Sequence, residues 1–327
     1  MVTISATLIL SSLNFALLSM NSVSASDASS ESFANATKYE LINQWGEEGD
    51  GEGQFDRPHD LDFSPSEDKL YAIDRDNQRV QVFDKNGTFL FQWGEEGDGD
   101  GQFSLPYGLD VDKEGNVWVA DRRNNNIQKF DAEGNFLLRF GSGGSEPGQF
   151  DNLRAVAVDD ALRYLYTADS NNHRVQKFDI NGTFIKSFGT FGNESGQLNV
   201  PITAILDFKG YLYVNERGNE RVQKFDTDGN SILMWGSKGS GPNQFCHSEH
   251  LGVDKFDNIY VNDPQSDEGC SLEAAVKKFD SNGKFITKIV IPGEDPDPEH
   301  LAIDSDGNVY VSLRGFNEIR VYKPIIE

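Results

Sequence analysis

Val80-Gln81-Val82-Phe83-Asp84 returns as Ile127-Gln128-Lys129-Phe130-Asp131, Val175-Gln176-Lys177-Phe178-Asp179 and Val222-Gln223-Lys224-Phe225-Asp226. Weaker copies stand at Val276-Lys277-Lys278-Phe279-Asp280 and Ile319-Arg320-Val321-Tyr322. Successive copies begin 47, 48, 47, 54 and 43 residues apart, the spacing of propeller blades and longer than the shorter helical solenoid repeats. Six copies predict six blades.

Working outward through one unit, Leu109–Asp112, Val117–Ala120, Ile127–Phe130 and Phe136–Phe140 are short β-branched or aromatic runs. Turn residues such as Glu114-Gly115-Asn116 and Glu133-Gly134-Asn135 separate them, which predicts a four-stranded antiparallel blade. The sixth copy stops at Tyr322-Lys323-Pro324 without the fourth-strand pattern seen as Phe89-Leu90-Phe91-Gln92-Trp93-Gly94. Leu41-Ile42-Asn43-Gln44-Trp45-Gly46 carries that pattern at the other end, so an N-terminal strand is expected to complete the last blade and remove an exposed sheet edge. The expected fold is all-β, a six-bladed β-propeller over residues 39–327.

Asn172-His173-Arg174-Val175 resembles the core of the NHL repeat, with Asn77-Gln78-Arg79-Val80 and Asn219-Glu220-Arg221-Val222 similar at three places. The resemblance, spanning about residues 39–323, implies an NHL-type propeller. Such propellers serve as RNA or protein binders, extracellular sensors, lactonases and the zinc lyase that completes peptide amidation, so the fold leaves the function open.

Residues 1–25 read as a secretory signal, with an uncharged apolar run from Val2 to Met20 and Val23-Ser24-Ala25 at its end; residues 26–38 read as a linker. A secreted or cell-surface location follows, with no membrane span in the mature chain. The sequons at Asn35, Asn86, Asn181 and Asn193 are consistent with it. Against 29 Lys and Arg stand 53 Asp and Glu, a net charge of −24 that repels phosphate backbones, so no nucleic-acid partner is expected. Two cysteines exclude a disulfide-dense scaffold and multi-cysteine metal modules. Cys246 precedes a first strand and Cys270 lies in the long loop between strands two and three of the same blade, which places both on one face and predicts a bridge between them.

Each second strand ends in an acid, at Asp74, Asp121, Asp169, Glu216 and Asp263, and Arg79, Arg174 and Arg221 follow five residues later. Their recurrence argues for a structural staple, since chemistry needs one asymmetric constellation. Asymmetry appears where the first strands begin. One aligned position holds His59, Tyr107, Arg154, Ile202, Glu249 and Glu299, and the next holds Asp60, Gly108, Ala155, Thr203, His250 and His300. Closing the ring makes the three histidine-bearing blades neighbours, and His59, His250 and His300 with Asp60, Glu249 and Glu299 form a candidate site for Zn²⁺ or another divalent ion. Pro58-His59 is similar to the proline–histidine pairs that hold zinc in the amidating lyase, whereas His250 and His300 are one place out of register. That resemblance would give Tyr107 and Arg154 the roles of the lyase's active-site tyrosine and arginine.

The turns Glu47-Glu48-Gly49-Asp50-Gly51-Glu52-Gly53 and Glu95-Glu96-Gly97-Asp98-Gly99-Asp100-Gly101 carry oxygen ligands suited to calcium, without EF-hand spacing. No Gly-x-Ser-x-Gly, P-loop or His-Glu-x-x-His motif occurs. The sequence therefore favours a monomeric binding module, taking a protein, peptide or glycan on the face where the first strands begin. A metal-dependent lyase or hydrolase at the channel mouth is the alternative.

Overall fold

A computed structural model describes residues 33–159, 161, 163–264 and 273–326. Six four-stranded antiparallel sheets follow one another along the chain. Blade 1 is Pro58–Phe63, Leu70–Asp74, Arg79–Phe83 and Phe89–Trp93, and blade 2 is Pro106–Val111, Val117–Asp121, Asn126–Phe130 and Phe136–Phe140. The first strands contact one another around the ring, blade 1 meeting both blade 2 and blade 6, so they line the central channel.

Burial explains the strand composition. Second and third strands are covered on both faces by adjacent blades and are buried at nearly every residue, whereas the fourth strands alternate half-buried with exposed residues. Rings and aliphatic side chains pack between blades, as where Phe83, Phe55 and Leu61 of blade 1 meet Tyr310 and Ile319 of blade 6. Blade 6 is Pro298–Ile303, Val309–Leu313 and Glu318–Pro324, with Tyr39–Trp45 as its outermost strand. Tyr39 pairs with Pro324 and Trp45 with Ile319, which is the expected ring closure.

The acid ending the second strand is stapled by arginine in blades 1, 3 and 4, as expected, whereas blade 2 has Asn126 in the arginine's place and the second strand of blade 6 ends in Leu313. Arg79 Nε donates to Asp74 Oδ2 and Arg174 Nε to Asp169 Oδ2, each at 2.7 Å, and Arg221 Nε donates to Glu216 Oε1 at 2.5 Å. The same arginines reach back to carbonyls of the preceding crossover, such as Asp50, Gly51 and Gln54 for Arg79. In blade 5 the arginine is missing, and Lys277, two residues further on, bonds Asp263 at 2.7 Å in its place. Burial nevertheless pushes the Asp74 and Asp169 carboxyls up despite their arginines. The staple thus fixes loop geometry more than it adds net stability.

The segment expected to be a linker is docked from Phe33 onward. Phe33 is buried, meets the Phe256 ring edge-on at 5.0 Å, and its carbonyl accepts from the buried Lys278 Nζ at 2.9 Å. Thr287 Oγ1 donates to the Thr37 carbonyl at 2.8 Å, so residues 33–38 cover the seam between blades 5 and 6. Gly307 lies beneath it at φ +81°, where a Cβ would strike the Phe33 ring. Residues 1–25, with the expected signal, and Cys270 lie outside the described residues.

Candidate functional site

The first strands deliver the site, and in every blade but the fifth they carry an irregularity at the start. In blade 1 the register shifts between Pro58 and Leu61, and in blade 6 between Pro298 and Leu301, which turns His59, Asp60, Glu299 and His300 toward the channel mouth. Blade 5 contributes His250 just ahead of its short first strand, Leu251–Val253. Ser312, which sequence reasoning missed, ties two of these segments: its Oγ donates to the His59 carbonyl at 2.6 Å and accepts from the His300 amide at 3.0 Å.

Asp60, His250 and His300 converge most tightly, with one ligand atom from each lying within 4.8 Å of the others. The His250 and His300 rings stack at 3.7 Å, and His59 lies 4.2 Å from His300 on its other neighbour side. His300 Nδ1 is 2.9 Å from Asp60 Oδ1 and His250 Nε2 is 3.9 Å from it. Asp60 is itself committed, accepting from the Leu61 and Leu109 amides at 2.8 and 2.6 Å. His59 Nδ1 pairs with the Tyr107 carbonyl at 2.9 Å, leaving Nε2 facing Glu299 Oε2 at 3.3 Å. None of these imidazole–carboxylate approaches is aligned as a hydrogen bond, so His59 Nε2 and His300 Nδ1 are buried without a hydrogen-bond partner, as is the other ring nitrogen of His250, Nδ1.

Burial sets the protonation of the cluster. It holds His59 and His300 well below the ordinary imidazole range and His250 down at about 3, with neighbouring positive charge adding to the effect. All three are neutral at pH 7, the form that ligates metals. Burial lifts Asp60 to about 6, opposed by His250.

The two predicted carboxylates of blades 5 and 6 divide. Glu299 stays, between His59 and Arg314 Nη1 at 2.6 Å. Glu249 turns away from the imidazoles and pairs with Arg217, with His247 3.3 Å away. Tyr107 and Arg154 do come together: Arg154 Nη1 donates to Tyr107 Oη at 3.1 Å, and the Tyr107 ring lies 3.8 Å from His59.

Arginines that directly follow second strands, Arg75, Arg122, Arg217 and Arg314, crown the mouth and were not singled out from sequence. Their signal was available, because the residue after the staple acid or its equivalent is arginine in these four blades, against Ser170 and Pro264 in the others. The acidic crossovers form no comparable cluster among the described residues; Glu47 is occupied by Gln54 Nε2 at 2.8 Å.

An NHL repeat model matches residues 55–83, 103–130 and 150–178, and a strictosidine synthase-like N-terminal model matches residues 286–315. No curated protein matches the chain in sequence. Among solved structures, a protein of unknown function from Bacteroides thetaiotaomicron is similar at 18% identity and TM-score 0.63, covering 87% of this chain and 75% of that one. A streptogramin B lyase is similar at 12% identity and TM-score 0.61 over 87% of this chain and 97% of its own. The virginiamycin B lyase from Staphylococcus aureus gives 13% and 0.60, over 88% and 99%. At these identities the likeness is one of fold.

Proposed function

Taking as premise that this chain is a six-bladed propeller whose first three blades match the NHL repeat, we propose that its channel mouth is a divalent-metal centre of a lyase or hydrolase. One observation carries the reading. Three neutral imidazoles from adjacent blades, each with a buried nitrogen lacking a hydrogen-bond partner, surround Asp60. Leaving such groups unpaired costs roughly 1–3 kcal/mol each, a cost that an ion of the zinc class would remove for each nitrogen that ligates it. Asp60, His250 and His300 would hold the ion, and His59 with Glu299 would stand beside it. When bound, the ion would polarise a substrate oxygen or acidify a ligated water. Tyr107, beside His59 and hydrogen-bonded to Arg154, is placed to hold or pass a proton there. Two structural neighbours named as lyases share the fold, which makes the class a reasonable one to test.

Native protein is expected to carry about one zinc, manganese, iron, nickel or copper ion per chain, and His300→Ala to lose it. Substoichiometric metal by mass spectrometry, with no rise in melting temperature on adding any of these ions, would sink the centre and the enzyme with it. The second reading, a binding module for a protein, peptide or glycan, is favoured by the ion pairs of Arg217 and Arg314, which already satisfy Glu249, Asp297 and Glu299.

Export belongs to the same proposal, as does the Cys246–Cys270 bridge. Cys246 is almost wholly buried, and its amide is held by Asp263 Oδ1 at 2.7 Å. A bridge closing this loop would stabilise by about 3 kcal/mol in the chain-entropy model. Titration of the denatured, unreduced, monomeric chain should find no free thiol; two per chain would refute the pairing.

A further inference from the structure

Beside the histidine cluster lies a second constellation, defined by missing partners. The buried and half-buried arginines at and around the mouth otherwise have a carboxylate: Arg75 has Asp76, Arg79 has Asp74, Arg174 has Asp169, Arg217 has Glu249, Arg221 has Glu216 and Arg314 has both Asp297 and Glu299. Arg122 and Arg154 have none among the described residues. Arg154 is 7% exposed, its Nη1 reaches only the Tyr107 hydroxyl, and its Nε is buried without a partner. Arg122 Nε donates to the neutral Asn152 Oδ1. Both guanidinium carbons lie over the Tyr107 ring, at 5.1 and 5.2 Å from its centroid, so two positive charges share one aromatic platform.

Two uncompensated guanidiniums so placed repel one another, and withdrawal from water raises the cost. The chain has acid in excess, with a net charge of −24, yet none of it pairs with either arginine among the described residues. An anion from outside completes the balance. An open cleft of about 530 Å³ between blades 2 and 3 reaches Arg122, and Leu105, Arg123, Asp151 and Asn152 line it as well; Tyr107 and Arg154 lie behind Arg122, outside its lining. We infer that Arg122, Tyr107 and Arg154 form a subsite for the carboxylate of a small or peptide ligand. Planar guanidiniums match a carboxylate through paired N–H donors. Asp151 in the lining of the cleft disfavours a second negative charge, which sets a monoanion ahead of phosphate. The subsite touches the proposed metal centre through His59, whose ring faces Tyr107 at 3.8 Å, but its argument does not use the ion.

The test is calorimetric titration of the full chain with N-acetylglycine, its neutral amide N-acetylglycinamide, and inorganic phosphate, each before and after chelation with EDTA. The acid should bind saturably in both states and the amide at least tenfold more weakly. Arg122→Gln and Arg154→Gln should each weaken the acid by tenfold or more. Because Arg154 is buried, Tyr107→Phe and the half-buried Arg122→Gln serve as variants that keep the packing, with melting temperature as the check. Equal affinity for acid and amide, or binding indifferent to both arginines, overturns the subsite. Phosphate binding more tightly than the acid overturns the carboxylate assignment. Binding that vanishes with EDTA and ignores Arg122 overturns the subsite while leaving the metal centre standing; acid binding through the arginines that persists after EDTA supports the subsite, and the metal centre then stands or falls on its own metal content.

Discussion

A chain beginning at Glu47 is expected to lose cooperative unfolding, whereas one beginning at Phe33 keeps it. The strand Tyr39–Trp45 is the outermost strand of blade 6, and without it the ladder of Glu318–Pro324 becomes an open edge. Trp45 also reaches across the seam. It packs against the blade 1 and blade 6 core, 6.0 Å from Phe83 and 6.3 Å from Tyr310, and lies on the turn at Gly87, where a Cβ would strike its indole. Trp93, Phe140, Phe188 and Trp235 take the same place over Gly134, Gly182, Gly229 and Gly283 of the following blades. Trp45 therefore does between the last blade and the first what those residues do within the run. Trp45 is half-buried, so its packing contributes on the order of 2–3 kcal/mol, about half of what full burial of a tryptophan would give, and the open edge adds the loss of the strand's whole ladder. Denaturant melts followed by circular dichroism would show it as a broad, early transition. A sharp transition at the parent midpoint in the Glu47 chain would refute the closure.

The ring was legible because repetition supplies its own reference frame. Six copies fixed blade number, and the missing fourth strand of the last copy pointed to residues 39–45. The histidines were legible for the opposite reason, as departures from that frame at one position. What escaped notice was hidden by composition or by alternation. Phe33 sits in a Ser- and Ala-rich stretch, and only tertiary packing on Phe256 and Lys278 recruits it. Arg122 was overshadowed by the acid before it. Glu249 sits beside His250 in sequence, but proximity along a strand says nothing about which way the chain turns it, and Arg217 takes it. Asp62 and Asp110 alternate with Leu61, Phe63, Leu109 and Val111, which reads as a solvent-facing side of a strand. That side faces the closed channel instead. The clue was the same position in the other blades, which holds Ala157, Ile205, Gly252 and Ala302.

Asp110→Asn is expected to stabilise the protein at pH 8 and to lose that advantage at pH 4. Asp62 and Asp110 sit together in the channel, half-buried by surface area but enclosed by neighbouring blades, and are hydrogen-bonded to each other; each also links blades, Asp62 accepting from the Val111 amide at 2.8 Å and Asp110 from the Val158 amide at 2.6 Å. Burial lifts Asp62 to about 6, and burial together with the Asp62 charge lifts Asp110 well above the carboxylate range; Asp60 adds negative charge to both. The folded chain thus keeps protons that the unfolded chain gives up near pH 4. The pair's contribution is complete below that pH and drains as pH rises through the folded values. His59, His250 and His300 act in the opposite sense, their lowered values penalising the folded state as pH falls below the free imidazole range. Total stability against pH therefore mixes the two, and the informative quantity is the difference between variant and parent. Asparagine keeps the acceptor for Val158, can donate to Asp62, and never ionises. The difference should be near zero at pH 4 and grow to on the order of 2 kcal/mol at pH 8, with a melting temperature about 4 °C above the parent. A difference that stays constant between the two pH values would show that the channel carboxyls do not share a proton.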